Sequence, residues 1–276
     1  MKPPPCATLP ARPSTSARTR RTGTARHPAD RRSCDVGLSG TTFVLLGLLV
    51  CAGAFVQRIA GFGLAVVAAP FVVTFAPQVM PAALLLVVLP LPVVEILRNG
   101  RDILWRPFGW AIGFRALTMP LGVWVVAHAS GDAISLGVAF MVLVAVAGSL
   151  TRVRVRAGAV TSSVAGALTG VSATAASIGG PFFSLALQEE QPQRARSTLA
   201  PFFLVGSLLS LTGLVVGGQL PRDAWTAGLG WLPFMAVGAL LAQPLRHRID
   251  QARFKRVVFA LATTSALGVI ARVALT

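Results

Sequence analysis

Two glycine-containing interruptions are the parts of this sequence best suited to chemistry. Gly61 and Gly63 lie in the first, and Ser177, Gly179 and Gly180 lie in the second. Each interruption separates a long apolar run from a short apolar piece. A helix that begins after such a break presents unpaired backbone N–H groups and the positive end of its dipole. Because that arrangement binds anions without a basic side chain, both breaks are candidate anion-binding elements.

Polar side chains accompany the breaks. Arg58 follows the first apolar run directly, and Arg115 lies seven residues into a later one. A charge inside a bilayer costs about 3 kcal/mol or more, so each arginine is a functional candidate. The candidate substrate-binding residues are Gln57, Arg58, Gly61, Gly63, Arg115, Ser172, Thr174, Ser177, Gly179 and Gly180.

Structural alternatives stay open for the same residues. The arginines could extend to the membrane surface, and the small residues could serve close helix packing. Glu95 is interpreted as the i,i+3 surface partner of Arg98. Asp102 and Asp223 are interpreted as helix N-caps. The paired pattern of the two breaks favours a binding site over packing alone.

The elements that must hold these residues are membrane helices. Hydrophobic residues make up 54% of the chain and charged ones 12%, and the mean hydropathy is +0.71. Soluble domains carry about twice that charged fraction, and about 20 apolar residues span a bilayer. The fold class predicted is all-α, a polytopic transmembrane bundle. The expected spans are Thr42–Val56, Val79–Leu97, Phe108–His128, Ala133–Leu150, Ala159–Ala176, Leu199–Val216, Ala227–Leu245 and Arg256–Val273, with two short re-entrant or broken helices, Leu64–Phe75 and Pro181–Leu187.

The sequence is interpreted as two related transmembrane repeats, 39–152 and 157–276. The Arg-Asp pair at Arg101 recurs at Arg222, and Gly109-Trp110 recurs as Gly230-Trp231, both 121 positions later. Internal repeats with interrupted helices in matching places indicate a transporter's binding site. Whether the repeats run parallel or inverted stays open.

The basic residues bear on orientation. The net charge is +16, and residues 1–38 are rich in Arg, Pro, Ser and Thr. This segment is predicted to be a disordered cytoplasmic tail. The loop Arg98–Arg106 and the run Arg152–Arg156 also favour the cytoplasm, whereas eight spans place Arg246–Arg256 outside. The side of the C-terminus therefore stays open.

Several function classes are disfavoured. The basic charge is assigned to loops beside spans, so no nucleic-acid partner is expected. Three cysteines and three histidines show no metal-ligand spacing, and no nucleotide-binding or hydrolase motif is present. No cofactor, metal or enzymatic activity is expected.

The chain resembles the TauE/SafE family of sulfite exporters, also called the toluene-sulfonate uptake permease family. The resemblance covers about Phe43 to Val273. The residues that carry it are Gly53-Ala54-Phe55-Val56-Gln57, Ala60-Gly61-Phe62-Gly63-Leu64, Pro70, Gly166-Ala167-Leu168-Thr169-Gly170, Ser177-Ile178-Gly179-Gly180-Pro181 and the two Arg-Asp loops. Arg58 stands where the family favours a small residue, and Ser177 where it favours glycine. The resemblance implies movement of small anions such as sulfite, sulfonates or organic acids across the cytoplasmic membrane.

The function expected is therefore that of a secondary transporter or permease. Its partners would be a small anionic substrate and membrane lipid. The sequence leaves open whether the protein assembles into a homo-oligomer. One half would move against the other, driven by the substrate or proton gradient. The alternatives are a polytopic membrane enzyme or accessory subunit, and a passive anion channel.

Overall fold

The structure is a computed structural model that describes residues 39–60, 63–100, 102–150, 156–245 and 251–275. The predicted tail 1–38 and Gly61 lie outside the described residues. So do positions 151–155 and 246–250, which hold much of the two basic runs.

Every regular element in the described ranges is a helix. One 3-10 turn, Pro77–Val79, precedes the third α-helix. The α-helices are α1 (Gly40–Ala60), α2 (Leu64–Phe75), α3 (Ala82–Val88), α4 (Pro90–Asn99), α5 (Trp105–His128), α6 (Gly131–Leu150), α7 (Ala159–Ala176), α8 (Gly180–Ala186), α9 (Pro192–Val216), α10 (Arg222–Gly230), α11 (Leu232–Leu245) and α12 (Gln251–Leu275). The predicted all-α class is confirmed.

Five stretches of the described chain are long and apolar enough to cross a membrane. They are Gly40–Ile59, Trp105–His128, Ala159–Ala176, Pro192–Val216 and Arg222–Leu245. Shorter apolar helices are Leu64–Phe75, Gly131–Val144 and Ala262–Val273. The protein is a polytopic helical membrane bundle.

The two predicted interruptions end and restart helices as expected. The helix α2 begins at Leu64, directly after Gly63. The helix α7 ends at Ala176, and α8 begins at Gly180. Neither break is bridged by continuous helix, so irregular backbone lies within the apolar part of the chain.

The predicted span Val79–Leu97 is wrong as a single helix. The structure divides it into α3 and α4, which meet at Leu89 and Pro90. Proline has no N–H to donate and clashes with the carbonyl four residues earlier, so Pro90 interrupts the helix. The predicted span Ala227–Leu245 lies within the stretch Arg222–Leu245, which is long enough to cross a membrane and in which α10 gives way to α11 at Trp231.

The N-cap interpretation of the two aspartates is also wrong. The N-cap of α5 is Leu104 and that of α10 is Pro221, and neither has a side-chain capping bond. Asp223 lies within the first turn of α10, where its charge favours the positive dipole end. The Leu104 N–H donates instead to Oγ1 of Thr198 on α9, at 2.9 Å.

Corresponding helices of the two predicted repeats make corresponding contacts with the other repeat. The helix α1 packs against α11, and α7 packs against α5. In the same way α2 contacts α12 and α8 contacts α6, while α6 and α12 contact each other. Such exchange of equivalent contacts is what a duplicated chain would produce. The division into the repeats 39–152 and 157–276 itself stays a prediction.

Candidate functional site

The two breaks meet at one cavity, here called the inner chamber. Its volume is about 50 Å³. The helices α1, α2, α3, α5, α7, α8 and α9 contribute to its wall. The predicted residues that line it are Gln57, Gly63, Arg115, Ser177, Gly179 and Gly180. Sequence reasoning did not foresee the contributions of α3 and α9, which are Leu84, Leu85, Val88, Phe203 and Ser207.

At the first break, Gly63 has φ 141°, a conformation that disfavours any side chain. A Cβ atom there would lie 2.8 Å from Cγ1 of Val56. Oε1 of Gln57 accepts the N–H of Leu64 at 3.1 Å, which satisfies one free amide at the start of α2. Ala65 follows at the chamber wall, in a first turn whose amides lack intrahelical acceptors.

At the second break, Ser177 adopts the left-handed conformation, with φ 59° and ψ 9°. This conformation costs a non-glycine residue about 1–2 kcal/mol. The Ser177 hydroxyl donates to the carbonyl oxygen of Pro81 at 2.8 Å, which ties the end of α7 to the residue before α3. At Gly179, a Cβ atom would lie 2.8 Å from side-chain carbons of Ala173 and Thr169. The glycine thus permits close approach of the backbone.

Arg115 brings a positive charge to the inner chamber. The residue is only 2% exposed, so it does not extend to the membrane surface. Its Nη1 donates to the carbonyl oxygen of Phe202 at 3.4 Å, and its guanidinium lies 5.0 Å from the centre of the Phe202 ring. Within the described ranges, Nε of Arg115 has no hydrogen-bond partner. The guanidinium is thus buried with an incomplete set of hydrogen bonds.

Close packing of α5 against α7 positions Arg115. A Cβ atom at Gly166 would collide with the carbonyl of Ala111, and one at Gly170 would collide with Thr118 Oγ1 and the Arg115 carbonyl. The Thr118 hydroxyl also donates to the carbonyl oxygen of Ala167 on α7 at 2.8 Å. These two glycines of α7, spaced four residues apart, therefore serve helix contact.

Arg58 contributes to a neighbouring cavity, here called the outer chamber. Its Nη1 lies 2.6 Å from Oε2 of Glu95, and the two side chains are 6% and 16% exposed. Glu95 thus meets a residue of α1, a contact that its interpretation as the surface partner of Arg98 did not foresee. The outer chamber has a volume of about 40 Å³ and is lined by Gln57, Arg58, Leu91, Pro92, Glu95, Arg196, Leu199, Ala200 and Phe203.

Ser172 and Thr174 are buried, but they are not among the residues that line either chamber. The Ser172 hydroxyl donates to the carbonyl oxygen of Leu168 on its own helix at 2.8 Å. Oγ of Ser210 lies 2.8 Å from Oγ1 of Thr174, which joins α9 to α7. For these two residues the geometry favours helix packing.

The family model of the sulfite exporter TauE/SafE matches residues 45–269. This range contains both breaks and every residue that lines the two chambers. No curated protein and no solved structure gives a significant match to the chain. Because the family match covers most of the sequence and the fold is a helical membrane bundle, the chain belongs to the TauE/SafE sulfite exporter family of membrane transporters.

Proposed function

We propose that this protein is a secondary transporter that carries a small anion, of the sulfite, organosulfonate or small organic acid class, across the cytoplasmic membrane. The inner chamber is its substrate site. The observation that supports this most is the convergence of both backbone breaks and the buried Arg115 on one cavity.

The charge of the inner chamber supports an anionic substrate. Among the described residues that line it, Arg115 is the one ionisable side chain. A buried charge without a full set of partners is costly, and an anion in contact with it offsets that cost. Ser207 and Gln57 also line the wall and supply neutral hydrogen-bond groups, whereas the Ser177 hydroxyl is already donated to the carbonyl oxygen of Pro81.

The dimensions of the chamber support a small substrate. Its volume is about 50 Å³. A site for one water needs about 10–15 Å³ on this kind of measure, so the chamber takes a few waters or one compact ion. This favours an inorganic oxyanion such as sulfite over a long organic acid.

Helices broken at the bilayer midplane are the usual binding elements of secondary transporters. Alternating access would move one group of helices against the other, driven by the substrate gradient or the proton gradient.

We also propose that the basic tail 1–38 lies in the cytoplasm, because positively charged segments next to membrane spans are retained on that side.

Flux into proteoliposomes tests the proposal. Purified protein should move sulfite faster than empty liposomes, with benzenesulfonate and lactate as comparison anions. Arg115→Gln should lower sulfite flux about 10- to 100-fold, the loss expected for one buried charge-assisted hydrogen bond. Arg106→Gln is the matched control, because Arg106 lies on the same helix and is exposed.

Two results would overturn the proposal. One is flux of all three anions at the level of empty liposomes, from correctly folded protein. The other is equal flux from the Arg115 and Arg106 variants. Sulfite flux that rises linearly with concentration, without saturation, would indicate a passive channel instead.

A further inference from the structure

The outer chamber adjoins the inner one through a shared wall. Gln57 and Phe203 line both cavities. Gln57 lies on α1, directly before Arg58, and Phe203 lies on α9. The two chambers are therefore neighbours.

The described residues that line the outer chamber carry a net positive charge. They include two arginines, Arg58 and Arg196, and one acid, Glu95. Nη2 of Arg196 donates to the carbonyl oxygen of Ile59 in the last turn of α1, at 3.2 Å. This bond uses one donor of a guanidinium that has five, so others remain for a ligand. The remaining wall is largely apolar, which strengthens electrostatic attraction.

We propose that the outer chamber is a second anion-binding station, at which a small oxyanion bound by Arg196 and Arg58 waits before it passes Gln57 and Phe203 to Arg115. The inference rests on the proposed function of the inner chamber and extends it to a path with two binding sites. The substrate class is the same, because guanidinium groups hold planar or pyramidal oxyanions through paired N–H bonds.

Glu95 makes this second station weak. Its carboxylate occupies Nη1 of Arg58 at 2.6 Å, so an arriving anion competes with Glu95 for the same cation. A site on a conduction path must bind strongly enough to admit an ion and weakly enough to release it. The outer chamber meets both requirements, because the anion gains the remaining donors of Arg196 and competes with Glu95 for Arg58.

The test uses purified full-length protein and sulfite as the probe. Equilibrium binding should show two sulfite sites per chain, and Arg196→Gln should leave one. In proteoliposomes Arg196→Gln should raise KM about tenfold with little change in kcat, the effect of losing one charge-assisted bond during capture. Arg194→Gln is the matched control, since Arg194 is exposed and lies two residues earlier on α9.

A conservative variant separates charge from structure. Arg196→Lys keeps the positive charge but loses the planar fork that pairs with an oxyanion, so its KM should lie between those of the wild type and of Arg196→Gln. If Arg196→Lys and Arg196→Gln are equally impaired at unchanged Tm, the charge is not the cause and the station is excluded. Glu95→Gln should increase the rise in Tm that sulfite produces, because the ligand then no longer competes with the Glu95 carboxylate for Arg58. A smaller rise than in the wild type would contradict the competition.

The failure of this inference is distinguishable from failure of the proposed function. One sulfite site per chain, with equal KM for the Arg196→Gln and Arg194→Gln variants, would exclude the outer station. If Arg115→Gln still lowers sulfite flux in that case, the inner site stands. Unchanged binding and flux in Arg115→Gln would overturn both.

Discussion

The guanidinium of Arg115 lies directly over Gly206, in the space that a Cβ atom at position 206 would occupy. The absence of a side chain at Gly206 on α9 thus allows the Arg115 guanidinium of α5 to occupy this position.

Gly206→Ala should push the guanidinium away from its present place beside Phe202. We expect KM for sulfite to rise about tenfold, equivalent to ~1.4 kcal/mol of binding. Gly113→Ala on α5 is the control, because no atom lies within 4 Å of its Cβ position. Equal KM in the two variants would show that the position of Arg115 does not matter for transport.

Replacing Arg115 by an apolar residue should separate stability from transport. Removing a buried, incompletely paired charge spares a desolvation cost of several kcal/mol. We therefore expect Arg115→Met to abolish sulfite flux while its Tm in detergent stays equal to that of the wild type or rises. A Tm lowered in parallel with flux would assign Arg115 a structural role.

Substitutions at Ser177 test its left-handed backbone. Glycine relieves strain of about 1 kcal/mol but loses a hydrogen bond of about the same worth, so Ser177→Gly should be nearly neutral. Ser177→Ala keeps the strain without the bond to Pro81, and should lower the free energy of unfolding by about 1 kcal/mol. Ser177→Val adds a branched side chain and should be worse still. Unfolding in mixed micelles measures the order, and a valine variant as stable as the glycine variant would contradict it.

A double-mutant cycle tests the contact between Arg58 and Glu95. Removing one partner of a buried pair deprives the other charge of that contact, at a cost of up to about 3–5 kcal/mol. Each of Arg58→Gln and Glu95→Gln should therefore destabilise the protein more than the double variant does. Additive effects would mean that the two side chains do not interact in the membrane.

The contact between α5 and α7 tolerates no side chain at Gly166. A Cβ atom there would collide with the Ala111 carbonyl, so Gly166→Leu should separate the helices and cost about 3 kcal/mol or more. Size-exclusion profiles and Tm report the damage. Gly137→Leu, at an exposed position of α6 with no atom near its Cβ, should behave like the wild type. A Gly166 variant with the profile and Tm of wild type would show that the helices need not pack so closely.

Local chemistry made the breaks predictable. Glycine ends helices, and lipid allows irregular backbone only where protein or a cavity covers it. The short helix Leu64–Phe75 was therefore predicted with its observed bounds. The division at Pro90 was not predicted, although the effect of proline on a helix is also local.

Tertiary contacts were not predictable in the same way. Glu95 meets Arg58 across 37 positions, and periodicity within one helix says nothing of such a pairing. Phe203 and Ser207 were missed although they lie four residues apart on one face of α9. A cluster of small residues within this apolar helix, which includes Gly206, was a signal that could have identified that face.

In the wall that the two chambers share, the residues that would limit the size of the solute differ from the residues that would select its charge. Gln57 and Phe203 carry no charge, whereas Arg115, Arg58 and Arg196 hold the positive groups on either side of them. Exchange of Phe203 for a smaller or larger residue would alter the space in both chambers and leave the guanidinium groups unchanged. Related proteins with this arrangement could thus change the size of the solute they accept through one mutation at position 203. Their preference for negatively charged solutes would stay the same, because the arginines are unchanged.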